Sequence, residues 1–265
     1  MFPTLLSFGP ITISAFGVSV ALSLVVGAFI VWQIARDRGL ADEKILDNVV
    51  IVAVAAFMSA RLFFGITHWS LFSENVLRLF LIWKFPGLSM WGALIGGMTV
   101  FYLYGLKQKL ATSVMFDAYS TALVWMHLFL SAGVFLDGSL VGKETKWPIG
   151  MYAVGEVGKR QPVALYAMIL TALFLISLSF LKKYLQKQAV PKGTLGWVVL
   201  AGIGAIQLIL AYFRANLLYW ESIPVEGVMA TIFLVSPVGP LFVLVDGKHK
   251  LLALKESMQK RFKKI

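Results

Sequence analysis

The chain has no cysteine among its 265 residues. It therefore forms no disulfide, carries no thiol nucleophile and offers no site for its own lipidation as a lipoprotein. Charged residues make up only 14% of the chain, and no Lys or Arg precedes Arg36, so the first apolar stretch is not a standard signal peptide. The HExxH, GxSxG and Gly-rich phosphate-loop motifs are also missing, which argues against the common soluble hydrolase and nucleotide-binding classes.

Long apolar stretches dominate what is present. Hydrophobic residues make up 59% of the chain, and the mean hydropathy is +0.82. A soluble domain of that composition would aggregate, so the bilayer is its solvent. A helix of about 20 residues crosses the hydrocarbon layer. We therefore predict a single all-α integral membrane domain with seven transmembrane helices, at 11–33, 46–67, 88–106, 114–136, 162–181, 195–214 and 227–246.

The basic residues are distributed unevenly between these stretches. If all seven cross, sixteen Lys and Arg residues fall on one side, including those of the tail 247–265, and seven fall on the other. The positive-inside rule then places the N-terminus outside and the C-terminus in the cytoplasm. Most of the +11 net charge would lie beside the membrane, where it attracts anionic lipid headgroups. A membrane partner is therefore expected, and a nucleic-acid partner is not.

Two segments are predicted to lie on the outer face. The apolar segment 68–87 predicts a short interfacial helix, and 137–161 predicts an outer loop. Several polar residues fall in the outer half of the spans or at their outer ends, namely Arg61, His68, Asp137, Arg160, Gln161, Tyr166, Gln207 and Arg214. We infer a hydrophilic pocket that opens to the outer leaflet.

The polar residues of the spans allow two interpretations. Arg61 lies about two turns before the end of its span, where it either snorkels to the headgroups or binds an anionic lipid. Gln207 and Arg214 are seven residues apart and share one helix face. In isolation, bonding to a neighbouring helix is favoured for Gln207, and interface anchoring for Arg214. His127 has no second ligand at metal spacing, which predicts a hydrogen-bonded core histidine and no metal site.

Several segments, taken in order, resemble the prolipoprotein diacylglyceryl transferases of bacterial inner membranes. They are 9–17 with its Gly-Pro, Ser59-Ala-Arg61-Leu-Phe-Phe, Leu88-Ser-Met-Trp-Gly-Ala-Leu-Ile-Gly-Gly97, 132–142, Arg160-Gln-Pro162-Val-Ala-Leu-Tyr166 and 201–214 with its closing Phe-Arg. The resemblance covers nearly the whole chain. Seven spans and an outer N-terminus also fit that family.

The resemblance implies a function, a location and a set of site residues. Such enzymes of the bacterial cytoplasmic membrane move a diacylglyceryl group from phosphatidylglycerol to the lipobox cysteine near the signal peptide of a prolipoprotein. They use neither a cofactor nor a metal. The residues implied to bind the lipid phosphate are Arg61, Asp137, Arg160, Tyr166, Gln207 and Arg214, and those implied to pack at the site are Gly92, Gly96 and Gly142.

The chain departs from the family pattern at polar positions. The family has other residues at Phe16, Trp91, Val134, Asp137, Ser139, Gln207 and Ala211, where it carries Tyr, His, Arg, Asn, Glu, Arg and Glu in that order. These replacements leave the catalytic residues unassigned. Two hypotheses remain, a divergent transferase and a non-catalytic relative that binds phospholipid or lipoprotein. A transporter or seven-helix receptor is a weaker third, because no repeat and no midplane charge pair is present.

Overall fold

Long helices build most of the molecule. The computed structural model describes residues 4–8, 11–82, 84–85, 87–152, 157–187, 190–215, 217–220 and 223–244. The predicted basic tail 247–265 and the Gly-Pro pair at 9–10 lie outside these residues. The helices are α1 Ala15–Asp37, α2 Asp42–Thr67, α3 Met90–Lys107, α4 Thr112–Asp137, α5 Val163–Lys187, α6 Thr194–Phe213, α7 Val225–Val235 and α8 Val238–Phe242.

Within the described ranges, three short antiparallel hairpins accompany the helices. They pair β1 Thr4–Phe8 with β2 Ile11–Ser14, β3 Met151–Tyr152 with β4 Lys159–Arg160, and β5 Tyr219–Trp220 with β6 Ile223–Pro224. The predicted first span begins too early, because its first residues, Ile11–Ser14, form a strand. The sequence did not reveal this, since a short apolar run does not distinguish strand from helix. Helix α1 begins after Ser14, whose Oγ accepts a hydrogen bond from the Gly17 amide at 3.0 Å.

Among the described residues, six helical segments are long and apolar enough to cross a membrane. They are α1, α2, α4, residues 163–185 of α5, α6, and the segment 225–242 that joins α7 and α8. This finding confirms the prediction of a helical, multi-pass membrane protein. Helix α3 is not one of the six. It has 18 residues, and its four glycines, together with Trp91 and two tyrosines, lower its hydropathy.

The connections divide the bundle into two ends. Long connections at 68–89, 138–162 and 214–224 join helices at what we call the loop-rich end. Short connections at 38–41, 108–111 and 188–193 join them at the short-turn end. Each of the helices α1 to α6 therefore runs from one end to the other, and neighbours in sequence are antiparallel. The predicted site residues at helix termini fall at the loop-rich end.

Small residues bring the helices into close contact. A Cβ on Gly92 would lie 2.6 Å from the carbonyl oxygen of Ser59, and one on Gly96 would overlap the Ser59 side chain, so α3 lies directly against α2. Gly133 gives α4 the same proximity to Ser19 of α1. Because apolar association gives little drive in lipid, such backbone proximity is how spanning helices gain packing energy.

The short-turn end fixes the start of α6. Asp117 of α4 accepts hydrogen bonds from the amides of Gly193 at 2.8 Å and Gly196 at 2.9 Å. Its position near the start of α4 suggests a cap for its own helix, but the carboxylate caps α6 instead. A carboxylate at a helix N-terminus accepts hydrogen bonds from the free amides and interacts favourably with the positive end of the helix dipole.

Among its described residues, the segment 68–87 does not form the one short interfacial helix that was predicted within it. It contains two 3-10 turns, Trp69–Leu71 and Val76–Leu79. The buried side chain of Arg61 donates to the carbonyls of Arg78 and Leu79 in the second turn. The location of this segment in the headgroup layer stays a prediction.

Candidate functional site

A line of hydrogen-bonded side chains runs through the interior of the bundle. Gln207 of α6 and His127 of α4 are joined by their Nε2 atoms at 2.8 Å. The Nδ1 atom of His127 lies 2.8 Å from the hydroxyl of Thr171 on α5. That hydroxyl donates to the Ala167 carbonyl at 2.6 Å. Because an amide nitrogen only donates, His127 accepts at Nε2 and donates from Nδ1, which is the neutral imidazole.

An ion pair closes this line at the loop-rich end. The Nη1 atom of Arg214 donates to Glu226 Oε1 at 3.0 Å, and Nη2 donates to Gln207 Oε1 at 3.4 Å. The two charged side chains are 17% and 23% exposed. We call the series Glu226, Arg214, Gln207, His127 and Thr171 the polar chain. It joins α7, α6, α4 and α5.

The polar chain leaves two hydrogen-bonding atoms unused. Within the described part of the protein, Arg214 Nε and Glu226 Oε2 have no hydrogen-bond partner, although both atoms are buried. Ionisable residues are costly in a membrane and commonly mark ligand or ion sites there. The ion pair thus keeps one free donor and one free acceptor beside each other at the end of α6.

A strand-like segment holds the end of α6 in place. The Lys143 amide donates to the Phe213 carbonyl at 2.8 Å, and the Ala215 amide donates to Val141 at 3.1 Å. Gly142 pairs with Arg214 in this ladder. A Cβ on Gly142 would overlap the carbonyl of Gln161, so only glycine allows the segment to fit between Gln161 and Arg214.

Tyr166 supports the other side of the same segment. Its hydroxyl donates to Gln161 Oε1 at 2.6 Å, and Gln161 Nε2 donates to Thr145 at 3.1 Å. The Tyr166 ring packs edge-on against Phe213 with 5.4 Å between centroids. Tyr166 therefore acts on Arg214 through the segment 141–145 and the end of α6.

A cleft lies beside this segment, between the end of α4 and the start of α5. Its lining includes Val134, Gly138, Gly142 and the half-buried Arg160. Asp137 is the last residue of α4, one position before the lining residue Gly138. The cleft therefore brings together three positions of the family signature, but an apolar Val134 stands where the resemblance expects an arginine.

Arg61 has partners of a different kind. Its Nε, Nη1 and Nη2 atoms donate to the carbonyls of Leu79 at 2.7 Å, Gly87 at 2.9 Å and Arg78 at 3.2 Å. Its guanidinium also lies over the rings of Phe64 and Phe72, at 5.7 and 5.3 Å. Arg61 thus secures the connection between α2 and α3.

The structure brings together one part of the predicted site. Gln207 and Arg214 are in direct contact, Gly142 pairs with Arg214, and Arg160 and Tyr166 border the same segment. Arg61, Gly92 and Gly96 lie instead in the contacts of α2 with α3 and its preceding loop. The three arginines therefore do not converge on one group.

Two members of the polar chain escaped the sequence analysis. Glu226 lies in the first turn of α7, where a carboxylate suits any helix N-terminus and attracts no notice. Thr171 lies in an apolar stretch and looks like an ordinary helix residue. In the sequence, the one available signal was that Glu226 is the sole acidic residue of the segment 225–242, which makes it a candidate partner for Arg214.

Comparisons with known proteins agree with the resemblance. The model of the prolipoprotein diacylglyceryl transferase family matches residues 3–243. A phosphatidylglycerol–prolipoprotein diacylglyceryl transferase of Limosilactobacillus reuteri is 24% identical over 256 residues, which cover 91% of this chain and 90% of that protein. One from Caldanaerobacter subterraneus is 25% identical over 196 residues, covering 74% of this chain and 71% of that protein.

Other alignments are shorter. A protein of the same name from Halalkalibacterium halodurans is 29% identical over 138 residues, which cover 52% of this chain and 43% of that protein. Against several such relatives, the chain spans about half of their length or less. The family model, however, extends over most of the 265 residues. The chain therefore belongs to the prolipoprotein diacylglyceryl transferase family.

Proposed function

We propose that this chain binds phosphatidylglycerol at the loop-rich end and transfers its diacylglyceryl group to the lipobox cysteine of a prolipoprotein. The observation that carries the proposal is Arg214, a partly buried arginine with an unused Nε atom, held between Glu226 and Gln207 in a member of this family. An arginine so placed can hold a lipid phosphate, because its free Nε donor can form a charge-assisted hydrogen bond to a phosphate oxygen.

The proposal includes a topology. In this topology α3 also crosses the membrane, which brings the number of crossings to seven. The loop-rich end faces outward, and the short-turn end faces the cytoplasm of a bacterial cell. The alternation of long and short connections supports seven crossings, and the close contact of α3 with α2 supports a common path through the bilayer. The excess of Lys and Arg near the short connections supports the orientation.

The chemistry assigns a role to each member of the ion pair. The cysteine sulfur attacks the glyceryl carbon of the diacylglyceryl group, the bond from that carbon to the phosphate oxygen breaks, and glycerol phosphate leaves. Arg214 Nε donates to the departing phosphate and stabilises its charge. Glu226 Oε2 is the neighbouring acceptor for the thiol proton.

Gln207 and His127 position Arg214 in this scheme. The Gln207 carbonyl oxygen accepts from Arg214, while its amide nitrogen is committed to His127. An arginine at 207 would place a second cation beside Arg214. With the neutral Gln207 the site therefore has one cation fewer than the family pattern, and the Gln207 amide orients the guanidinium of Arg214.

A second candidate is a non-catalytic relative that binds phospholipid or lipoprotein. Trp91, which stands at the family's histidine position, is buried against Phe233 with 5.3 Å between ring centroids. Val134 brings no charge to the cleft. Losing one oxyanion donor slows chemistry by about a hundredfold or more, and several losses together would leave binding without transfer.

Complementation separates the two candidates. The chain and its Arg214→Ala variant are expressed in bacterial cells depleted of their own transferase, and lipidated lipoprotein and co-purified phospholipid are measured. Arg78→Ala is the matched control, since Arg78 pairs with Glu74 at the same 3.0 Å but is more exposed. Transfer predicts rescue by the chain and by Arg78→Ala, and loss of rescue in Arg214→Ala.

The lipid content identifies the alternative. Phosphatidylglycerol that co-purifies with the chain but not with Arg214→Ala, without rescue, supports the binder. If the chain gave no rescue and phosphatidylglycerol were not enriched, both the transferase and the phosphatidylglycerol binder would be refuted.

A further inference from the structure

The connection between α4 and α5 exposes large apolar side chains outside the helices. Trp147 is 67% exposed, Ile149 53%, Tyr152 70% and Val157 90%. We call these four residues the apolar rim. On a water-facing loop such exposure is costly, and several exposed apolar side chains within one connection favour contact with something apolar. The cleft does not account for it, because none of the four lines the cleft.

Strand alternation turns part of the rim away from the cleft. Met151 and Arg160 are paired across the hairpin of β3 and β4, and both line the cleft. The next pair, Tyr152 with Lys159, points to the opposite face, because successive side chains alternate across a strand. That face therefore combines an exposed aromatic ring with a basic residue.

One contact fixes the depth of this connection. The Nζ atom of Lys143 lies 4.8 Å from the ring centroid of Tyr212, which is in the last turn of the candidate span α6 and is 73% exposed. Tyrosines at the ends of spanning helices mark the boundary between hydrocarbon and headgroups. The base of the connection thus lies at the level where the bilayer surface begins.

We propose that the apolar rim, with Lys143, Lys146 and Lys159 around it, inserts into the headgroup layer of an anionic phospholipid membrane. Aromatic and aliphatic side chains beside lysines are the composition of interfacial segments, in which apolar burial and attraction to anionic lipid add. Lys143, at the base of the connection, contacts the exposed ring of Tyr212 at the end of α6, which favours lipid over a protein partner as the occupant. This inference goes beyond the proposed function, since it holds whether or not the chain transfers a lipid.

The absence of native cysteine makes the proposal directly testable. Full-length Ile149→Cys and Val157→Cys variants are labelled with an environment-sensitive fluorophore and reconstituted into vesicles of phosphatidylcholine and phosphatidylglycerol. Ser139→Cys is the matched control, because Ser139 is exposed in the same connection but outside the rim. Both rim labels are expected to shift to shorter wavelength and to lose about half of their emission to brominated lipid, whereas the control label keeps its emission.

The electrostatic part has its own measurement. Replacing phosphatidylglycerol by phosphatidylcholine, or combining Lys146→Gln with Lys159→Gln, should reduce quenching at both rim positions, because fewer anionic contacts hold the loop down. Both labelled positions are exposed, so the labels should not disturb packing. The use of two independent positions also guards against an artefact at either one.

Two results would overturn the proposal. One is emission from both rim labels that matches Ser139→Cys in vesicles. The other is a shift that occurs only after a prolipoprotein signal peptide is added, which would assign the rim to a protein partner. Neither result depends on rescue or lipid co-purification, so failure here is distinguishable from failure of the transferase proposal.

Discussion

Arg61 and Arg214 both lie at the loop-rich end, yet their partners differ in kind. Arg61 is 5% exposed, and it donates to three backbone carbonyls. Arg214 is less buried and is bound by two side chains, one of them a carboxylate. Neutral carbonyls of a loop hold a guanidinium for architecture, whereas side chains that can move leave it available to a ligand. The type of acceptor thus distinguishes the two arginines.

The largest expected effect is on stability, at Arg61. Arg61→Ala removes three hydrogen bonds from a charged donor and leaves buried carbonyls of the 68–89 connection unpaired, which should cost about 3 to 5 kcal/mol of unfolding free energy. Denaturant unfolding in detergent measures this cost. Arg78→Ala, which removes an exposed ion pair, should cost about 1 kcal/mol or less. Equal stability of the two variants would remove the architectural role of Arg61.

The next effect should appear at Glu226 and change binding and transfer in opposite directions. Glu226→Gln removes the anion that competes with a lipid phosphate for Arg214, so phosphatidylglycerol binding should strengthen. Transfer should fall by about a hundredfold, because the proton acceptor is lost. Vesicle binding and lipoprotein labelling measure the two quantities, with Glu74→Gln as the exposed control. Weaker binding would show that the carboxylate helps to hold the lipid.

A smaller effect is expected at Gln207. Gln207→Leu leaves the Nε2 atom of His127 and the Nη2 atom of Arg214 without their amide partner, which should cost about 1 to 3 kcal/mol. Leu208→Ala is the matched control on the same turn, because Leu208 is exposed and lies outside the polar chain. If thermal unfolding moved more for Leu208→Ala than for Gln207→Leu, the polar chain would contribute little to stability.

The smallest effect should come from Tyr166. Tyr166→Phe keeps the ring against Phe213 but removes the hydroxyl from Gln161, a loss of about 1 kcal/mol. Tyr212→Phe is the control, since its ring is exposed. Transfer should fall modestly for Tyr166→Phe through a displaced Arg214. An unchanged rate with lowered stability would confine Tyr166 to a packing role.

Sequence pattern predicted the features that repeat along the chain. Apolar length identified the helices, because a bilayer demands about 20 apolar residues in one run. The predicted start of α1 was wrong, since Ile11–Ser14 forms a strand and its composition suits a strand as well as a helix. The short helix predicted within 68–87 is instead two 3-10 turns, and the contact of Arg61 with the carbonyls of this segment leaves no local signal in the sequence.

The polar chain was predictable only in part. His127 is the hydrogen-bonded core histidine that was expected, and Gln207 does bond to a neighbouring helix. The sequence could not join them, because 80 residues separate the two and their distance depends on how α4 packs on α6. The same limit placed Arg61 and Arg214 in one predicted phosphate site, although the structure gives them separate partners.

Asp117 has a mechanical consequence for the opposite end of the molecule. Its two bonds pin the first turn of α6, while the ladder at Phe213 and Ala215 pins the last turn. Hydrogen bonds therefore hold both ends of helix α6, and they fix the backbone position of Arg214. Helix α7 is held close to α6 as well, because a Cβ on Gly204 would lie 2.5 Å from the Leu234 amide nitrogen, so the backbone positions of both Arg214 and Glu226 are fixed.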